Sequence, residues 1–148
     1  MQSFMEWKKA ADLAMGGLVG SGCAGWSGTG DLRYVAERLQ LRMYSVIETE
    51  EFSDWLGGLK DRMTRARLQA RLRKATLGNL GDVKPVGDGV FEMREFFGPG
   101  WRMYYVLYNG VALFMLGGGD KSSQERDIER AKEMAQELQN EQDQDPPV

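Results

Sequence analysis

The chain has no histidine, one cysteine and no long uninterrupted apolar run among its 148 residues. Without histidine there are no Ser-His-Asp or Cys-His nucleophilic sites, no histidine acid-base pairs and no histidine-containing metal sites. Any proton transfer has to use Lys, Tyr, Asp or Glu. A lone cysteine, Cys23, excludes an internal disulfide framework and suits a reducing compartment, so a cytoplasmic location is expected. No stretch reads as a membrane span. The apolar region near the N-terminus is short, is interrupted by Asp12 and ends in no small-x-small cleavage site, which argues against a secretory signal.

What is present is enough for one core: 42% of the residues are hydrophobic, which at this length predicts one domain with at most one appendage. The net charge of −3 conceals a strong polarity. Residues 60–121 carry eleven Lys/Arg against six Asp/Glu, whereas residues 43–59 carry four acidic residues and no cation, and residues 122–148 carry three basic against eight acidic. A basic middle between acidic segments can bind a polyanion, because the local field at the site decides.

Val90–Leu116 reads as three consecutive antiparallel strands. Gly98-Pro99-Gly100 breaks the run once, and Asn109-Gly110 sets a hairpin turn in which both central residues take positive φ. Each of two strands carries a single cation: Arg94, on the face of Glu92 and Phe96, and Arg102, on the face of Tyr104. An arginine in an apolar strand costs desolvation unless it is paired or open to water. It is therefore either ion-paired, with Glu92 or Glu95, or it lines a face where a phosphate binds. A two-residue loop at Asn109-Gly110 would put Tyr104 opposite Met115 and Arg102 opposite Gly117, where a missing side chain leaves room for a ligand.

Ahead of the meander, Met43–Ile47 reads as a strand. Thr49 caps a short helix with Glu50 and Glu51 at its positive end and Phe52, Trp55 and Leu56 on one face. A basic helix from about Lys60 to Leu77 has Leu59, Met63, Ala66, Ala70 and Leu77 on one stripe and Leu68, Leu72 and Ala75 on the other, which predicts two packing partners. Leu80–Gly89 reads as a glycine-punctuated, partly extended loop whose one cation is Lys84, a residue that by itself would be an ordinary solvated lysine.

After the meander, Gly117-Gly118-Gly119-Asp120-Lys121-Ser122 has the order of a phosphate-binding loop, but Asp120 stands where that motif needs glycine. Nucleoside triphosphate hydrolysis is set aside on that ground, while the helix start remains a candidate anion site. Ser122 with Glu125 reads as a capping box for a last helix with Ile128, Ala131, Ala135 and Leu138 as its apolar stripe. Residues 1–42 look unlike the rest. Gly20-Ser21-Gly22-Cys23-Ala24-Gly25 formally matches a dinucleotide fingerprint, but no strand precedes it and no helix follows. The expected division is a glycine-rich leader over 1–42, poorly ordered or accessory and read as lying upstream of a natural start at Met43, a domain over 43–141 and an acidic mobile tail over 142–148.

The set Glu50-Glu51-Phe52 with Trp55-Leu56, Gly78-Asn79 with Gly81-Asp82-Val83-Lys84-Pro85-Val86, Glu92-Met93-Arg94, Gly98-Pro99-Gly100-Trp101-Arg102-Met103-Tyr104-Tyr105 and Gly118-Gly119-Asp120-Lys121-Ser122-Ser123-Gln124 resembles the RelE/ParE superfamily of toxins from bacterial toxin-antitoxin modules. More narrowly, it is similar to the HigB-like addiction module killer proteins, over residues 43 to about 138. The resemblance implies an α+β fold: an N-terminal strand, two helices, an antiparallel meander and a C-terminal helix. It implies cleavage of mRNA on the ribosome by attack of a ribose 2′-hydroxyl on the adjacent phosphate, with no metal or other cofactor.

In that reading Arg94 and Arg102 stabilise the phosphate, Lys84 is a base or phosphate contact, Tyr104 stacks on a base or donates a hydrogen bond, and Asp120 and Lys121 occupy an active-site position. The implied partners are mRNA on the ribosome and a cognate antitoxin, a helix-turn-helix DNA-binding protein. The superfamily also contains inhibitors that bind DNA gyrase and carry out no chemistry, and this is the alternative. The basic meander favours the nuclease.

Overall fold

The computed structural model describes residues 43–143. The elements are β1 (Ser45–Glu48), α1 (Glu50–Gly58), α2 (Arg62–Thr76), β2 (Val83–Gly87), β3 (Val90–Glu95), β4 (Trp101–Tyr108), β5 (Ala112–Asp120), a 3-10 turn (Lys121–Ser123) and α3 (Gln124–Asp143). The fold is α+β, with one five-stranded sheet in the order β1-β5-β4-β3-β2. β1 runs parallel to β5 and every other pair is antiparallel. The expected leader over 1–42 lies outside the described residues. So does the end of the expected tail, although α3 continues to Asp143.

The helices cover both faces of the sheet. On one face Phe52 and Leu56 of α1 and Leu68, Leu72 and Ala75 of α2 pack with Met93, Met103, Tyr105, Leu113 and Met115. On the other, Ala131 and Ala135 of α3 close over Val90, Tyr104 and Leu116, with Ile128 and Leu138 at the margin. The stripe expected for α3 is thus the one it buries. Thr49 fastens α1 at both ends of its own side chain: Oγ1 accepts from the Phe52 N–H and donates to the Met115 carbonyl at 2.7 Å. One hydroxyl therefore starts the helix and ties it to β5.

Four expectations need correction. The loop before the meander contains a strand, β2. It lies at the sheet edge, where Pro85 costs no ladder hydrogen bond, and its register shifts between Pro85 and Gly87. Only one stripe of α2 packs; Met63, Ala66 and Leu77 face solvent, because the sheet and α1 occupy the Leu68 side alone. The last helix begins at Gln124 after a 3-10 turn capped by Asp120, which replaces the expected Ser122-Glu125 box. Finally, the Val111 N–H donates to the Tyr108 carbonyl, yet the ladder pairs Tyr108 with Ala112, and a second irregularity follows between Tyr104 and Tyr105. As a result Tyr104 stands opposite Gly117 and Arg102 opposite Gly119.

Candidate functional site

The sheet face under α3 carries two rows of residues across its strands. In the first, Lys84 of β2 pairs with Glu92 of β3, Glu92 with Tyr104 of β4, and Tyr104 with Gly117 of β5. In the second, Arg94 pairs directly with Arg102, and Arg102 with Gly119. The Arg94 N–H extends this row by donating to the Asp82 carbonyl at 3.0 Å. Residues directly opposite in a ladder point to the same side, with Cβ atoms about 5 Å apart. Two guanidiniums therefore leave neighbouring strands onto one face.

Like charges so placed repel, and carboxylates offset them. Asp82 Oδ1 lies 2.8 Å from Arg94 Nη2. Glu92 Oε1 lies 2.6 Å from Arg102 Nε and also accepts from Gln124 Nε2 at 3.0 Å. Glu92 is only 1% exposed, so a charged group with almost no water is held by an arginine and an amide. The Asp82 hydrogen bond raises the affinity of Arg94 for its proton further, so it remains a cation at any physiological pH. Glu95 pairs instead with Arg71 of α2, Nε to Oε1 3.1 Å. The ion-pair reading of the arginines is thus present in the molecule. The closest approach is through one nitrogen of each guanidinium, and among the described residues no hydrogen bond runs from the Nη groups of Arg102 or from Nη1 of Arg94 to a carboxylate.

The space opposite Arg102 is not empty as expected. A Cβ on Gly119 would collide with the Asp127 carboxylate and the Ser123 hydroxyl, which hydrogen-bond to each other there. A Cβ on Gly118, facing the other side, would strike the Trp55 ring. Both glycines are required for close approach by elements from opposite faces of the sheet. Gly117 alone has open space where its Cβ would be.

Tyr104 is fully buried, which leaves no ring face for a base to stack on. Its phenol is pushed well above the usual range, first by burial and then by the Glu92 and Asp127 carboxylates, so it stays protonated. Asp120 is turned inward on its own chain: the Ser122 hydroxyl and N–H both donate to Oδ1, which holds the carboxyl below the ordinary carboxylate value. It is a cap and not a ready base. Lys84 is exposed at the sheet edge. Lys121 is exposed where β5 ends, and Gly100, in the β3–β4 turn, lies beside both its Cβ and Arg102 Nη1, each 3.8 Å from where a Gly100 Cβ would sit.

Arg94 and Arg102 thus share one face, Lys84 lies on the edge strand opposite Glu92, Lys121 follows the end of β5 near Gly100 and Arg102, Tyr104 is buried in the neighbouring row, and Asp120 caps the turn after β5. Sequence reasoning missed Asp82, Gln124 and Asp127, the groups that orient or crowd the arginines. Each reaches the site from another element, and no local spacing marks that.

Among the described residues no three or more Cys, Asp or Glu are grouped to hold a metal ion, and no helix is long and apolar enough to cross a membrane.

No family model matches the chain. Over 90 residues it is 47% identical to an uncharacterized protein of Haemophilus influenzae, a match that takes in 61% of this chain and 91% of that protein. Among solved structures, the Escherichia coli toxin RelE, in the free state and with two arginines replaced by alanine, superposes with a TM-score of 0.50 at 15% identity. That superposition covers 61% of this chain and 94% of the toxin's. At this identity the likeness establishes a RelE-like fold.

Proposed function

We propose, from its RelE-like fold and the paired arginines of its sheet face, that the chain, which belongs to the family of the Haemophilus influenzae protein, is the toxin of a bacterial toxin-antitoxin module, an endoribonuclease that cuts mRNA on the ribosome. The observation that carries this reading is the direct cross-strand pairing of Arg94 with Arg102 on one sheet face, with Lys84 at one edge and Lys121 at the other end. The ribose 2′-oxygen attacks the adjacent phosphorus, the bond to the 5′-oxygen breaks, and negative charge builds on the nonbridging oxygens in between. Fixed guanidinium N–H donors aimed at that charge are the electrostatic contribution the site is built to make.

Each pairing carboxylate anchors an arginine and leaves donors for a phosphate, so the donors are in place before the substrate arrives. Lys84 and Lys121, both exposed, serve as phosphate contacts, while Tyr104 stays a neutral phenol and Asp120 is engaged as a cap. An acidic antitoxin segment would compete for the same cations.

The ion pairs that already occupy both arginines support a second reading, a ParE-like protein that inhibits DNA gyrase by binding it. Primer extension on translated mRNA, run beside a gyrase supercoiling assay, separates the two. Ribosome-dependent cuts with unaffected supercoiling uphold the nuclease; intact mRNA with inhibited supercoiling replaces it.

A further inference from the structure

We infer that Phe96 is the platform on which a nucleobase stacks next to the phosphate held by Arg94 and Arg102; this rests on the nuclease reading. Single apolar residues on a surface need no explanation. Phe96 differs in its company. It is 79% exposed, more than any other large hydrophobic side chain described, and it is the sole aromatic in that group. It follows Arg94 by two residues, and the Arg94 guanidinium carbon lies over its ring, 5.7 Å from the centroid. Arg94 is itself fixed by Asp82.

The neighbouring residue provides the contrast. Phe97 also has an arginine over its ring, Arg67 at 4.9 Å, but it is half-buried and packs against the core under α1 and α2. Phe97 thus does the structural work of this turn, and Phe96 is left outside it. One ring face of Phe96 is covered by a cation and the other meets water. A π-face backed by a cation, beside paired phosphate-binding donors, has the composition of a single-strand RNA site, in which every base can stack and the backbone is held by charge. Buried Tyr104 cannot supply such a face, and among the described residues Phe96 is the exposed aromatic that can.

The test uses ribosomes programmed with mRNA whose A-site codon carries 2-aminopurine and 2′-O-methyl groups that block cleavage. The full chain is expected to quench the fluorescence; Phe96→Trp keeps the quenching, and Phe96→Ala and Phe96→Leu lose it, Leu being apolar but unable to stack. On unmodified message Phe96→Ala lowers kcat/KM by about 5- to 150-fold, the range for one base stack, and Phe96→Trp restores it. Quenching and cleavage that are indifferent to residue 96 overturn the platform and leave the nuclease standing. A Phe96→Ala variant whose one loss is binding to the antitoxin also overturns it. A parent protein that neither quenches nor cleaves overturns both.

Discussion

Glu92 ties the two rows of the site together: its backbone pairs with Lys84 on one side and Tyr104 on the other in the first row, while its carboxylate holds Arg102 of the second at 2.6 Å. Breaking a buried pair by removing one partner leaves the other charge stranded. Glu92→Gln is therefore expected to cost on the order of 3 kcal/mol in urea unfolding. Adding Arg102→Met, which removes the stranded charge and keeps the volume, should restore most of that stability and none of the activity. Equal stability of Glu92→Gln and the parent would show that the pair is not buried.

Gly118 admits the Trp55 ring to the surface of β5. Trp55 is wedged against Phe52 and Trp101, at centroid distances of 5.6 and 6.3 Å, so it has little freedom to retreat. Gly118→Ala should overpack this contact and cost about 1–3 kcal/mol. In a Trp55→Leu background the same change should cost much less, and this non-additivity in a double-mutant cycle is the readout.

Stability should form a plateau in pH bounded by two sets of groups. Asp61 and Asp120 are held below the ordinary carboxylate value, chiefly by side-chain hydrogen bonds from Thr64 and Ser122. Their contribution is present above the unfolded value of about 4 and is lost as pH falls through the lower folded value. Burial pushes Tyr105 up to about 12 and Tyr104 higher still. The stability linked to these neutral phenols is complete below about pH 10 and is lost as pH rises through the folded values. Urea midpoints against pH should fall at both ends. Asp120→Asn should flatten the acid limb and leave the alkaline one, and phenolate absorbance should show Tyr104 and Tyr105 titrating late.

Much of this fold was legible because it is encoded locally. Asn109 and Gly110 both take positive φ, as their residue types suggest, and Gly98 and Gly100 do the same around Pro99. Thr49 caps α1, and the Ile128–Leu138 stripe buries under the sheet. What escaped depends on contacts between distant segments. The glycines and proline around β2 mimic a loop because an edge strand tolerates them. The extra residue in the Tyr108–Ala112 turn and the irregularity at Tyr104/Tyr105 have no composition signal, and each moved the pairings beyond it by one residue, so that together they put Gly119 in place of Gly117 opposite Arg102. Asp127 then filled the space that the glycine opened. The common face of Arg94 and Arg102 needed the register of β3 on β4, which the turn at Gly98–Gly100 does not fix by residue type.

The most direct measurement is the single-turnover rate of cutting ribosome-bound mRNA by the parent, Arg94→Ala, Arg102→Ala and the double variant, each checked for unchanged urea unfolding or corrected for it. Loss of one donor to a developing oxyanion is worth about 10²–10³ in rate. Each single variant is expected to fall by that much, and the double variant by less than the product, because both groups act on one phosphate. Rates within about threefold of the parent for either single variant would contradict the account, since the shared face of the two arginines would then serve something other than the phosphate.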